Sequence, residues 1–122
     1  MSIVLDGTNG VTYPSGSTQN AACVAWANFN GTLTGTNAPR ASYNVSSITR
    51  VSAGTYTVTF ANALVDTNYA VAGQCANTGD TAGNTSRSIG VPSYSTGSFT
   101  LICTIGTASA NDFTYVNFAV FR

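Results

Sequence analysis

Between residues 55 and 60 apolar and polar side chains alternate without a break. Tyr56, Val58 and Phe60 fall on one face of an extended chain and Thr55, Thr57 and Thr59 on the other, the period of a half-buried strand. The same phase recurs in Ser98–Ile105, where Phe99, Leu101, Cys103 and Ile105 share a face, and in Asn68–Cys75, where Tyr69, Val71 and Cys75 do. Cys23–Asn30 and the mostly apolar Phe113–Phe121 read as two further strands, and Arg40–Ile48 as a segment extended at least in part. Ile89–Tyr94 is short and interrupted by Pro92, which cannot donate to a ladder, so it belongs at a sheet edge. Turn chemistry separates these runs: a Gly/Thr/Asn loop over 31–39, Ala53-Gly54, 62–67, the long polar stretch Ala76–Arg87, Gly97, and the small-residue loop Gly106–Asp112. Six to seven short strands bounded in this way predict an all-β, antiparallel β-sandwich over residues 22–122. Residues 1–21 stand apart. Ile3-Val4-Leu5 and Val11-Thr12-Tyr13 are short apolar pieces between turn-rich ones, which predicts a short extended N-terminal arm or stalk junction.

Composition reinforces this pattern and adds a peculiarity. Of 122 residues only 7% are charged, with four Arg, four Asp, and no Lys, Glu or His. An average soluble chain carries about 25%. Ser, Thr, Asn and Gly therefore coat the surface, net charge is zero, and association between copies is favoured. The absence of a basic cluster argues against a nucleic-acid partner and against anionic membrane surfaces. No apolar run is long enough for a membrane helix, and the opening Met1–Asp6 does not read as a signal peptide. Without such a leader the sequons at Asn30, Asn44 and Asn84 are read as chance. Three cysteines, Cys23, Cys75 and Cys103, cannot all pair within one chain and are read as buried free thiols, a Cys75–Cys103 bridge being the alternative.

The residue inventory narrows the chemistry. Lacking His and Lys, the chain cannot assemble a Ser–His–Asp, Cys–His, Schiff-base or Ser–Lys centre. The remaining route to catalysis, a carboxylate pair between Asp80 and Asp112, is weak, and a calcium site on the two polar loops is a minor alternative. The expectation is a protein that is not an enzyme and carries no cofactor. Binding is better supplied. Amides, short carboxylates, a guanidinium and aromatic rings satisfy the hydroxyls and cover the apolar faces of neutral sugars. The two polar loops and their neighbours offer Asn77, Asp80, Asn84, Arg87, Tyr94, Asn111 and Asp112 as ligand-binding candidates, with Tyr115 as added ring surface. Asp66 reads as a turn residue, Arg40 as an ion-pair partner of an Asp, and Trp26, in phase with Val24, as core or interface packing rather than a sugar platform.

Several stretches carry a resemblance. Gly7-Thr8-Asn9-Gly10-Val11-Thr12-Tyr13-Pro14 with Thr18-Gln19 resembles the approach segment of bacteriophage tail-fibre proteins. Trp26–Thr32 followed by Arg40–Ile48, then Gly54–Phe60, Asp66–Val71 and the closing Val116–Phe121, resemble their C-terminal tip domain. The resemblance covers most of 7–71 and the last strand; 72–112 match nothing in the pattern, and the loop Leu33–Pro39 is longer than the pattern has. It implies a homotrimeric tip, associated with other tail-fibre components in the virion after assembly in the host cytoplasm. Such a tip binds a bacterial surface glycan or outer-surface protein. More distantly the strand order is similar to the H-type lectin sandwich, an analogy of fold alone. The alternative implied function is a trimerisation and folding clamp of a longer fibre, without a ligand of its own.

Overall fold

The computed structural model describes residues 4–6, 10–12, 18–19, 23–81, 86–106 and 109–122. The described pieces of the N-terminal arm are extended and pair with one another. Strands β1 (Val4–Asp6), β2 (Gly10–Thr12) and β3 (Thr18–Gln19) form a three-stranded antiparallel sheet, with Leu5 opposite Val11 and Val11 opposite Gln19.

The remaining strands are β4 (Cys23–Phe29), β5 (Gly35–Asn37), β6 (Ala41–Tyr43), β7 (Val45–Ser52), β8 (Thr55–Phe60), β9 (Ala70–Ala76), β10 (Arg87–Tyr94), β11 (Ser98–Ile105), β12 (Ser109–Ala110) and β13 (Tyr115–Phe121). They build two antiparallel sheets facing one another as a sandwich. One sheet has the order β10-β11-β8-β7-β5, with β12 also paired to β11; the other has the order β6-β4-β13-β9. Seven of these strands are six residues or longer; six overlap the runs read as strands, and β7 begins within the extended segment 40–48 but continues to Ser52. The count exceeds the six to seven expected because β5, β6 and β12 have only two or three residues each, too few for a hydrophobic period to show. β5 falls within what reads as the 31–39 loop. As Pro92 requires, β10 is an edge strand, and its register with β11 shifts between Gly90 and Ser93.

The core lies between the sheets and follows the period-two pattern. Tyr56, Val58 and Phe60 of β8, Phe99, Leu101 and Cys103 of β11, Ala25, Ala27 and Phe29 of β4, and Val116, Phe118 and Val120 of β13 are all buried. Edge-to-face rings lock the two layers: Phe29 on Tyr56 at 5.1 Å and Phe99 on Phe118 at 5.2 Å between centroids. The β7–β8 turn needs Gly54. Its φ is +67°, and a Cβ there would lie 2.6 Å from the Cys103 carbonyl oxygen and 2.7 Å from that of Asn111.

The sandwich has two unlike ends. Residue 23 enters β4 opposite Phe121, so the chain enters and leaves at the same end, together with the 61–69 and 95–97 connections. The opposite end carries the 30–34, 53–54, 77–86 and 106–114 connections. Among the described residues no helix is long and apolar enough to cross a membrane.

One expectation about a single residue changes, and one of two alternatives for another is excluded. Cys23 is exposed, because it starts β4 at the rim, whereas Cys75 and Cys103 are buried; all three thiols are free. Trp26 does not enter the core. It stands on the outer face of its sheet, 40% exposed, because Ala25, Ala27 and Phe29 take the inward phase.

Candidate functional site

The two polar loops do converge. Asn77 and Asp80 follow β9, Arg87 opens β10, and Asn111 and Asp112 precede β13, all at the end opposite chain entry. Asn84 lies outside the described residues. Tyr94 does not join them. It closes β10, seven residues beyond Arg87 and about 23 Å along an extended strand, and its ring packs on Tyr69 at 5.1 Å at the entry end.

At the loop end, most of the candidate polar groups bond to the protein itself. Asp112 receives the Arg50 guanidinium through Nε at 3.0 Å and Nη2 at 2.6 Å, the Gly54 amide at 2.8 Å and the Tyr56 hydroxyl at 3.0 Å. The side-chain bond from Arg50 holds the Asp112 carboxyl below the usual carboxylate range, against a smaller opposing effect of burial. Burial, with the neighbouring Asp112 carboxylate, pushes the Tyr56 hydroxyl up, so it stays protonated and donates. Asp80 pairs with Arg87, whose Nη2 reaches Oδ1 at 2.7 Å, and accepts the Asn77 amide. The Arg87 guanidinium also lies over the Phe113 ring at 5.1 Å, and its Nε is buried without a partner among the described residues. Asn77 Oδ1 accepts the Thr114 amide at 3.0 Å and so ties the end of β9 to the start of β13. The two carboxylates are thus each matched to their own arginine. Among the described residues no group of three or more His, Cys, Asp or Glu side chains is placed to hold a metal ion.

What these braces leave facing outward is uncharged or delocalised. Asn111 is exposed, and its Oδ1 accepts the Asp112 amide. Arg40 meets no carboxylate of its own chain among the described residues. Its Nη1 donates to Asn28 Oδ1 at 3.0 Å, its Nη2 to the Thr114 carbonyl at 2.7 Å, and its carbon centre lies 4.8 Å from the Tyr115 ring centroid. The guanidinium thus lies over a half-exposed ring at this end.

Sequence reasoning missed a concavity at the entry end. A cleft of about 720 Å³ is bounded by Cys23, Val24, Tyr43, Leu64, Val65 and Arg122, among others. Asn44 shapes it: at φ +53° it carries the chain from β6 to β7, donates to the Val24 and Asn62 carbonyls at 3.1 Å, and accepts the Asn62 amide at 2.7 Å. On its rim Arg122 grips Asp66 with two bonds, of 2.9 and 2.6 Å, and lowers its carboxyl pKa. Asp66 also accepts the Asn68 amide at 2.8 Å, the turn role expected of it. No periodic signal marks the cleft, since its walls come from strand ends and a nine-residue connection.

Compared with known proteins, the chain matches no family model, no curated protein and no solved structure.

Proposed function

We propose that the chain is the receptor-binding tip of a bacteriophage tail fibre, acting as a homotrimer that attaches to a glycan or protein on the host bacterial surface. The observation that carries this reading is the polarity of the sandwich. The chain enters and leaves at one end, while the opposite end gathers four connections whose charged groups, Asp80 with Arg87 and Asp112 with Arg50, bond to one another. Loops braced in this way lose little freedom on binding, which favours association through preorganisation. Their outward groups, Asn111 and the Arg40–Tyr115 stack, suit hydroxyl-rich or amide-rich ligands. Weak contacts of this kind become firm attachment when a trimer, and several fibres, engage one cell. In this reading the domain is part of the virion, has no catalytic step and needs no cofactor.

The test is binding of fluorescently labelled protein to susceptible and resistant bacterial strains, with periodate-treated and protease-treated cells run beside them. Strain-selective binding that periodate removes identifies a glycan receptor, and binding that protease removes identifies a protein. Absence of binding to every susceptible strain overturns the reading. A second reading, a trimerisation clamp for a longer fibre, is favoured by the exposed rings on the outer face of the β6-β4-β13-β9 sheet.

A further inference from the structure

The two outer faces of the sandwich differ in kind. Across the β10-β11-β8-β7-β5 sheet, one row of neighbours reads Thr36, Thr49, Thr57, Thr100 and Ser93, a hydroxyl surface that water covers well. Across the other sheet, one row reads Tyr43, Trp26, Ala119 and Ala72, and the next reads Ala41, Asn28, Asn117 and Gln74. This second face carries no Asp, Arg, Ser or Thr in either row; Asn28 donates to Asn117 Oδ1 across it and accepts from Arg40 Nη1 at its loop-end border. Trp26, Tyr43, Tyr115 and Phe121 on this side are 40, 59, 40 and 43% exposed. At roughly 200 Å² per ring side chain these four alone expose about 350 Å², and with the alanines the face reaches on the order of 600 Å², at the upper limit of what monomers leave open.

The first row is also asymmetric. Its β6–β4 half raises two large rings. Its β13–β9 half is a shallow depression of about 400 Å³ floored by Ala72 and Ala119. A second copy turned about an axis along the strands would lay its ring half on the first copy's alanine half. The same half-on-half contact closes a ring of two or of three. Two such faces bury about 1,200 Å², the lower bound for a specific interface, and the cation at their loop-end border, Arg40, is already held by Asn28 and the Thr114 carbonyl.

We propose that the outer face of the β6-β4-β13-β9 sheet is the contact between copies of this chain, with Trp26 and Tyr43 of one copy seated over Ala72 and Ala119 of the next. The proposal deepens the trimer reading above and rests only on its oligomeric part, not on any receptor. Trp26 is the sole tryptophan, so its emission reports the contact directly.

The test is the solution mass of the full chain by light scattering, with Trp26 emission followed over a hundredfold dilution. Wild type should run at a multiple of 12.5 kDa, and its emission should shift to the red as copies dissociate. Ala119→Arg, which puts an uncompensated charge under the rings, should run as a monomer. Thr57→Arg, on the hydroxyl face, should keep the wild-type mass. A folded Ala119→Arg protein of unchanged mass overturns the proposal, as does an oligomer whose Trp26 emission stays that of a water-exposed ring. A wild-type monomer at every concentration overturns it too. Cell binding by that monomer would leave the attachment reading standing, whereas an Ala119-sensitive oligomer that binds no host would remove attachment and keep the contact.

Discussion

Replacing Asp112 by Ala should destabilise the fold by about 3 kcal/mol, although the side chain sits at the surface edge of the loop end. The carboxylate receives four donors: two from Arg50, the Gly54 amide and the Tyr56 hydroxyl. The two side chains of the Arg50 pair are each 22% exposed, so the pair falls between the exposed limit near 1 kcal/mol and the buried one of about 3–5; about 1.5 kcal/mol is a fair share. The Gly54 amide would lose its acceptor, at about 1 kcal/mol, and the Tyr56 hydroxyl, which can still turn to the Gly31 carbonyl at 2.9 Å, about 0.5. For a domain of this size the total is a fall in Tm on the order of 10 °C. Urea unfolding read by circular dichroism, at unchanged m-value, measures it. Acid supplies an independent check. Because Arg50 holds the folded Asp112 carboxyl below its ordinary value, near 3.9 in an unfolded chain, the pair's contribution is full above that unfolded value. It is lost as pH falls through the still lower folded value. The gap between wild type and Asp112→Ala should therefore be constant from pH 7 to about 5 and narrow below about 4. A loss under about 1 kcal/mol, or a gap that does not narrow in acid, would refute the brace.

Gly54→Ala should cost at least about 3 kcal/mol or prevent folding, since it combines a positive φ with backbone clashes; chemical denaturation measures it. Leu101→Ala, at a site with no exposure in the centre of β11, should cost about 2–5 kcal/mol in the same assay. A native thiol titration should show one fast group, Cys23, and two that react only on unfolding, because burial shields Cys75 and Cys103 and pushes both thiols up; fast reaction of a second group would contradict the packing. Arg40→Ala should leave stability within about 1 kcal/mol yet weaken attachment to susceptible cells several-fold, and undiminished binding would remove the Arg40–Tyr115 stack from the receptor site.

The strands were legible where a side-chain period had room to repeat. β8 and β11 present their inward residues as Tyr56, Val58, Phe60 and Phe99, Leu101, Cys103, as the alternation of each segment requires. β5 and β12 were not legible, and β6 was not separable from β7 within the extended segment 40–48, because two or three residues cannot display a period. Trp26 shows a different limit. Alternation places it opposite Ala25 and Ala27, but sequence alone cannot say that the two alanines, rather than the indole, fill the core. In this sandwich the opposing layer already supplies Tyr56, Phe60 and Phe99, leaving room for small residues on β4.

The loop-end candidates were legible as a region, and most of them turn out to bond to other parts of the fold. A loop rich in Asn, Asp and Arg has the composition of a binding site and equally that of a brace. The distinction is set by partners that local sequence does not contain: Arg50 lies 62 residues from Asp112, and Arg122 lies 56 from Asp66. With a charge content this low, each Asp seen in the sandwich, Asp66, Asp80 and Asp112, is committed to an arginine, and only Arg40 is left to a ring and neutral oxygens. Self-association must then draw mostly on uncharged surface, and recognition on that surface together with the single guanidinium of Arg40. That has a physical consequence at any salt concentration. Contacts made by rings, amides and alanines are screened little, whereas a charge-steered interface weakens as ionic strength rises. The oligomer should therefore survive molar salt, and a mass that collapsed between 0.1 and 1 M NaCl would place its binding energy in charges that this fold has already paired.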